Sequence, residues 1–154
     1  MLNKNAFILL MYLGALPFIT GAVLSLLSID NLLIDRLLWL ETVKPIVSLY
    51  ALIIVVFMAG VLWGVMLPNK AGTVFSQSNF LISNVITLAP WFVYLFFPDS
   101  SVFLLVTAFA FLWLLVIDKQ LYQQQLITKN YYQARKNVSA VVVLSLLILA
   151  TDMH

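Results

Sequence analysis

Long apolar runs alternate with short polar segments along the chain, and five such runs stand out. They cover residues 6–29, 46–67, 80–97, 102–117 and 138–151. An α-helix rises about 1.5 Å per residue, so about 20 residues cross the hydrocarbon core of a membrane. The runs are continuous rather than alternating, which excludes a transmembrane β-barrel. The pattern predicts an all-α, polytopic transmembrane helical bundle with five spans, in a single domain over residues 1–154.

Composition supports the same class of protein. Apolar residues make up 64% of the chain and charged residues 9%, against about 45–50% and about 25% in soluble domains. There is no cysteine, and the only histidine is His154, so thiolate, histidine-pair haem and disulfide sites are excluded. We expect no cofactor and no metal. The few charges lie between the spans, which predicts membrane lipids and no nucleic acid as partners.

Basic residues fall mainly on one side of the predicted spans. Five spans place six of the eight Lys and Arg residues together: Lys4, Lys70, Lys119, Lys129, Arg135 and Lys136. Arg36 and Lys44 fall on the other side. Basic loops stay on the cytoplasmic side, so we predict the N-terminus inside and the C-terminus outside. The first run is too long for a signal peptide and ends in no clear cleavage motif, which favours a retained span.

Residues 30–44 are amphipathic. Leu33, Leu37 and Leu40 recur at helical spacing opposite a charged side, which predicts a short outer interfacial helix between spans 1 and 2. An irregular linker is the alternative.

Ionisable side chains are missing from the centres of the predicted spans. All fourteen Asp, Glu, Lys and Arg residues lie in predicted loops or at span ends. This argues against a proton relay or voltage sensor and leaves no carboxylate pair for acid–base catalysis. We therefore predict that the chain is not an enzyme. A lipid-headgroup enzyme using Asp118 with Lys119, Tyr122 or Arg135 is a weaker alternative.

The third span carries four polar side chains, Asn79, Ser83, Asn84 and Thr87. Such groups must find partners in lipid, so they favour hydrogen bonding between helices. The alternative is a small polar cavity.

Small residues mark the first two spans. The predicted helix-packing residues are Gly14, Pro17, Gly21, Gly60, Trp63 and Gly64. Proline in a helix removes a hydrogen bond and predicts a kink. Glycines four apart form a groove for another backbone, which we expect the first span to fill, with Trp63 pointing away. A homodimer is the alternative.

Lys129, Arg135 and Lys136, beside Tyr131 and Tyr132, precede the last span. Ordinary positive-inside anchoring accounts for them. Docking onto an anionic lipid headgroup or an acidic partner is the functional alternative.

The order of four motifs resembles a domain-of-unknown-function family of small membrane proteins that includes mitochondrial transmembrane protein 69. The motifs are YLGALPF (12–18), YALIIVVFMAGVLWGVMLP (50–68), SNVITLAPWFVYLF (83–96) and YYQARKNVSAVV (131–142). The residues that match the family pattern are Gly14, Pro17, Phe18, Tyr50, Gly60, Trp63, Gly64, Pro90 and Arg135. Leu62 stands where many relatives have His or Arg, and Ala134 where Leu precedes the Arg. The resemblance supports the topology and implies no activity.

The predicted function is a non-enzymatic accessory or assembly subunit that packs against other membrane proteins. The alternative is a carrier or channel for a small neutral or lipidic molecule, through a polar cavity at span 3. The predicted location is the bacterial inner membrane, with the mitochondrial inner membrane less favoured. The oligomeric state stays open.

Overall fold

The structure, a computed structural model, describes residues 4–29, 42–66, 74–98 and 100–151. Within these ranges the chain forms six α-helices and no β-strand. The helices are α1 (Lys4–Leu13), α2 (Leu16–Ile29), α3 (Lys44–Met66), α4 (Val74–Phe96), α5 (Ser101–Gln123) and α6 (Lys129–Thr151).

Five helical segments of the described chain are long and apolar enough to cross a membrane. They are Ile8–Leu27, which runs through α1 and α2, and Lys44–Val65, Ser78–Phe96, Ser101–Gln123 and Lys129–Thr151. The prediction of an all-α bundle with five spans is confirmed. The side of the membrane on which each terminus lies stays a prediction. The interfacial helix expected over residues 30–44 falls almost wholly outside the described residues.

The first span is broken between α1 and α2. Pro17 lies in the first turn of α2 and has no N–H to donate to the preceding turn. The N–H of Phe18 bonds the carbonyl of Ala15 at 3.1 Å rather than that of Gly14. The freed carbonyl of Gly14 accepts the hydroxyl of Tyr50 at 3.0 Å. A side chain from α3 therefore satisfies the backbone group that the break exposes.

Replacing Tyr50 by phenylalanine is expected to lower the free energy of unfolding by about 1 kcal/mol, because the Gly14 carbonyl loses its donor. The ring and its contact with Phe18, with centroids 5.2 Å apart, would remain. Equilibrium unfolding in a mixed-micelle denaturant series would measure the change. A Tyr94→Phe variant is the control, and an equal loss in both variants would contradict the assignment.

A tight turn joins α5 to α6. Gln125 has φ 61°, and the N–H of Leu126 bonds the carbonyl of Leu121 at 3.0 Å. The N–H of Gln125 bonds the carbonyl of Tyr122 at 3.0 Å, which completes a Schellman motif. Glycine is the usual residue at the position of Gln125. Because the chain has glutamine there, the sequence gives no sign of a turn, and the segment 118–137 resembles one long polar loop. In the structure both helices continue into it, beyond the apolar runs 102–117 and 138–151.

Helix α6 holds the bundle together. It packs against α5, α2 and α1, while α3 packs against α2, α4 and α5. Helix α4 lies at the edge, on α3 and α5. The shared core is built from large apolar side chains that are fully buried, among them Phe18, Val55, Phe103, Phe111, Leu114 and Leu146. Other large apolar side chains remain exposed on every span, as expected for helices that face lipid.

Candidate functional site

A buried ion pair joins the last two spans. Nε of Arg135 in α6 donates to Oδ2 of Asp118 in α5 across 2.9 Å. The Arg135 and Asp118 side chains are 8% and 2% exposed. The sequence predicts both residues in the loop or at a span end, because the apolar runs stop short of them. The structure places them between helices, where each charge needs the other to offset its lost hydration.

Tyrosine rings surround this pair at the end of the bundle that carries the α5–α6 turn. The Tyr131 ring lies under the guanidinium, with Cζ of Arg135 at 5.9 Å from the ring centroid. Tyr122 and Tyr132 stack across the two helices, with centroids 5.1 Å apart and planes 5° from parallel. The Tyr131 ring helps to exclude water from the ion pair, which strengthens its attraction.

Not every donor of the Arg135 guanidinium is used. Its Nη2 atom is buried and has no hydrogen-bond partner among the described residues. Arg135 also lines a cavity of about 120 Å³ between α1, α2, α3, α5 and α6, which we call the Arg135 cavity. Its other lining residues are Leu10, Met11, Gly14, Phe18, Ile54, Phe57, Met58, Phe111, Val138 and Val142.

The predicted headgroup-docking cluster is not one patch. Arg135 is buried in its ion pair, whereas Lys129 and Lys136 are exposed on α6. The two lysines are placed to anchor the helix end at a membrane surface, while Arg135 serves the interior. Sequence spacing alone cannot show this division, because Arg135 and Lys136 are adjacent and point to different sides of the helix.

The four polar residues of the third span make mostly local contacts. Ser83 donates to the carbonyl of Phe80 at 2.8 Å and accepts Nε1 of Trp63 at the same distance. Asn84 and Thr87 donate to the carbonyls of Phe80 and Ser83, at 3.1 and 2.9 Å. Asn79 is 4% exposed, and its Nδ2 has no partner among the described residues. None of the four lines the Arg135 cavity or the second cavity described next.

That second cavity is an apolar cleft of about 310 Å³ between α4 and α5. Leu81, Val85, Pro90, Phe109 and Trp113 are among the residues that line it. Several of them are exposed on the surface of the bundle, so the cleft opens toward lipid. The walls of this cleft offer a ligand apolar contacts and a matching shape but, among the described residues, no charged or reactive side chain.

The glycines of the first two spans differ sharply in their surroundings. A Cβ added to Gly21 would lie 2.8 Å from Cγ2 of Val47, so α2 and α3 cross closely there. A Cβ added to Gly60 or Gly64 would meet no atom of the described residues within 4 Å. The expected crossing of the first two spans at Gly60 and Gly64 is therefore wrong. The close approach uses Gly21 instead, because the broken first span meets α3 near its Lys44 end.

Trp63 lies beside the open glycine face. Its indole donates to Ser83, and its ring packs edge-on against Phe80 with centroids 5.4 Å apart. Trp63 thus ties α3 to α4 and leaves Gly60 and Gly64 uncovered. Exposed residues on the same side of α3, including Ile53 and Phe57, extend this surface along the helix.

The arrangement offers structural chemistry and three buried polar atoms without a partner in the described chain: Oγ of Ser48, Nδ2 of Asn79 and Nη2 of Arg135. Within the described ranges, no three His, Cys, Asp or Glu side chains lie close enough to hold a metal ion. Asp118 is buried and paired with Arg135, whereas Lys119 is exposed. The features that remain for a function are the open glycine face, the Arg135 cavity, the apolar cleft and buried Asn79.

No curated protein and no solved structure matches the chain. One family model does match it, over residues 3–151, and its description is "Protein of unknown function (DUF3429)". The match covers nearly the whole chain, including both halves of the ion pair and the open glycine face. The five-span bundle described above therefore belongs to the DUF3429 family of proteins of unknown function.

Proposed function

We propose that this chain is a non-enzymatic accessory or assembly subunit that packs against other integral membrane proteins. The observation that carries the proposal is the open face at Gly60 and Gly64. Glycines four apart let two helices approach closely in lipid, where van der Waals packing drives association. Within the described residues that face has no partner, so a helix of another chain can use it.

The surroundings of the glycines support an interface rather than a site for chemistry. Trp63 is held at the edge of the face by its bond to Ser83, so the groove is bordered by a fixed aromatic side chain. Asn84 is exposed on the neighbouring α4, one turn after the Phe80 that packs on Trp63. An amide in that position can form a hydrogen bond to a helix seated on the face.

Replacing Gly60 and Gly64 together by leucine is expected to leave the monomer folded and to remove the partner. The Cβ atom of each leucine enters space that is open among the described residues, so we expect the fold to remain while a helix can no longer approach. Pull-down of the tagged full chain from native membranes in mild detergent, with quantitative comparison of bound membrane proteins, measures this loss.

Ala140→Leu is the matched control, because Ala140 is also a small exposed residue on a span. It should retain the partners of the unsubstituted chain. The proposal is wrong if the glycine variant keeps the same partners, or if the unsubstituted chain leaves the membrane with none. Self-association lost in the glycine variant alone would instead identify the homodimer.

A carrier or channel for a small neutral or lipidic molecule is the second candidate. Buried Asn79, whose Nδ2 lacks a partner among the described residues, is the observation that favours it.

The location that we propose is the bacterial inner membrane, with the N-terminus inside. The resemblance of the motif order to a family that includes mitochondrial transmembrane protein 69, which stays an expectation from the sequence, supports an inner membrane, and the basic residues support the orientation.

A further inference from the structure

The Arg135 cavity exists because the first span changes neighbours at its break. Helix α2 packs against both α3 and α6, whereas α1 packs chiefly against α6. The bond from Tyr50 to the Gly14 carbonyl holds the chain at the point where the two parts separate. A space therefore remains beside α1, bounded by α3 on one side and by α5 and α6 at the back.

The two ends of this cavity differ. Phe18, Met58, Phe111 and Val142 form its closed end and are buried in the core. Leu10 and Phe57 line its other end and are 63% and 67% exposed. Both belong to faces of the bundle that meet lipid, so the cavity opens sideways into the membrane. A ligand can enter with an apolar tail left outside.

The volume limits the part of a ligand that fits inside. An engineered protein cavity of about 150 Å³ accepts one benzene ring. The Arg135 cavity measures about 120 Å³ and continues into its open mouth. Its enclosed part is smaller than that benchmark, so it takes at most one six-membered ring, and any substituents lie in the mouth.

Charge decides the chemistry of that ring. Among the described residues, Arg135 is the one charged residue lining the cavity, and Asp118 already neutralises it at 2.9 Å. A second anion beside Asp118 would be repelled at low dielectric. A neutral oxygen acceptor suits the site, because Nη2 of the guanidinium has no partner in the described chain. That atom is enclosed, so a ligand in the cavity reaches it when the side chains around it shift.

We propose that the Arg135 cavity binds the ring of a neutral, membrane-soluble carbonyl compound of the isoprenoid quinone type. The ring lies among Phe18, Met58 and Phe111, and Arg135 donates a hydrogen bond to one carbonyl oxygen. The isoprenoid tail leaves between Leu10 and Phe57. The mouth of this site adjoins the open glycine face at Phe57, but the ring is held by other residues, so the inference does not depend on the accessory-subunit proposal.

The test uses the purified full chain in detergent and decylubiquinone as the probe. Decylubiquinone should raise the thermal unfolding midpoint saturably, because a ligand of the folded state stabilises it. Decylbenzene, which has the tail and ring but no carbonyl, should bind about tenfold more weakly or worse. Oleate and phosphatidylglycerol are the anionic comparison ligands, and neither should compete.

Two variants locate the site without touching the ion pair. Val138→Phe fills the cavity and should abolish the saturable shift, while Val141→Phe, on an exposed part of the same helix, should keep it. Leu10→Trp obstructs the exposed mouth and should weaken binding even if Val138→Phe fails to fold. Tighter binding of oleate or phosphatidylglycerol, no saturable shift, or equal binding by Leu10→Trp and the unsubstituted chain would overturn the proposal.

Discussion

Arg135→Met is expected to destabilise the chain by about 3–5 kcal/mol, the cost of leaving one partner of a buried ion pair alone. Asp118 would remain 2% exposed with its hydrogen bond from Nε lost. It would have to admit water, bind a proton or leave the core. Each response weakens the contact between α5 and α6. Denaturant unfolding of the purified protein and its steady-state level in membranes would both register the loss.

The double variant Asp118→Leu/Arg135→Met should recover most of that stability. Removing both charges eliminates the unpaired group and leaves apolar side chains of similar size in a buried position, an exchange that is often neutral or stabilising. Lys136→Met is the matched control, because Lys136 neighbours Arg135 and is exposed. Its effect should stay within about 0.5 kcal/mol. Equal losses in Arg135→Met and Lys136→Met, or no recovery in the double variant, would contradict a stabilising pair.

Hydropathy was sufficient to predict the five spans, because each apolar run must lie in lipid or in the core. It was not sufficient to locate the helix ends at the α5–α6 turn. Asp118, Arg135 and the glutamines between them are polar, yet they continue the helices to Gln123 and from Lys129. A polar helical turn and a polar loop have the same composition, and only packing distinguishes them.

A signal for the ion pair was nevertheless available. In an antiparallel helical hairpin, residues at equal distances from the turn face each other. The midpoint between Asp118 and Arg135 lies between Leu126 and Ile127, inside the segment that joins α5 to α6. Opposite charges placed symmetrically about a turn predict a contact if the turn is known. The turn could not be recognised from the sequence, because Gln125 adopts a left-handed conformation that is more typical of glycine.

The glycines show a second limit of sequence reasoning. Spacing alone identifies Gly60 and Gly64 as a groove, but it cannot show which helix fills that groove. No described residue fills this groove, and Gly21 forms the crossing of α2 and α3 instead. Gly21 rather than Gly60 or Gly64 lies at the crossing because the break at Gly14 determines where the first span meets α3. The carbonyl that this break exposes is satisfied by Tyr50, a residue 36 positions away.

Gly21→Ala is expected to destabilise the chain by about 1–3 kcal/mol, the usual cost of adding a methyl group to a packed core. The new Cβ would lie 2.8 Å from Cγ2 and 3.3 Å from Cγ1 of Val47. Val47 is β-branched and 5% exposed, so its side chain has little freedom to move away. Helices α2 and α3 must separate. Gly60→Ala, in open space, should be neutral or slightly stabilising.

Restoring the space from the other side tests the crossing directly. Val47→Ala alone leaves a small cavity and should cost about 1–3 kcal/mol. Combined with Gly21→Ala it removes both methyl groups that obstruct the new Cβ, so the double variant should be more stable than the sum of the single losses predicts. Equilibrium unfolding of the four proteins in one detergent gives the coupling energy. A coupling near zero would mean that α2 and α3 do not meet at Gly21, because only residues in contact compensate each other in this way.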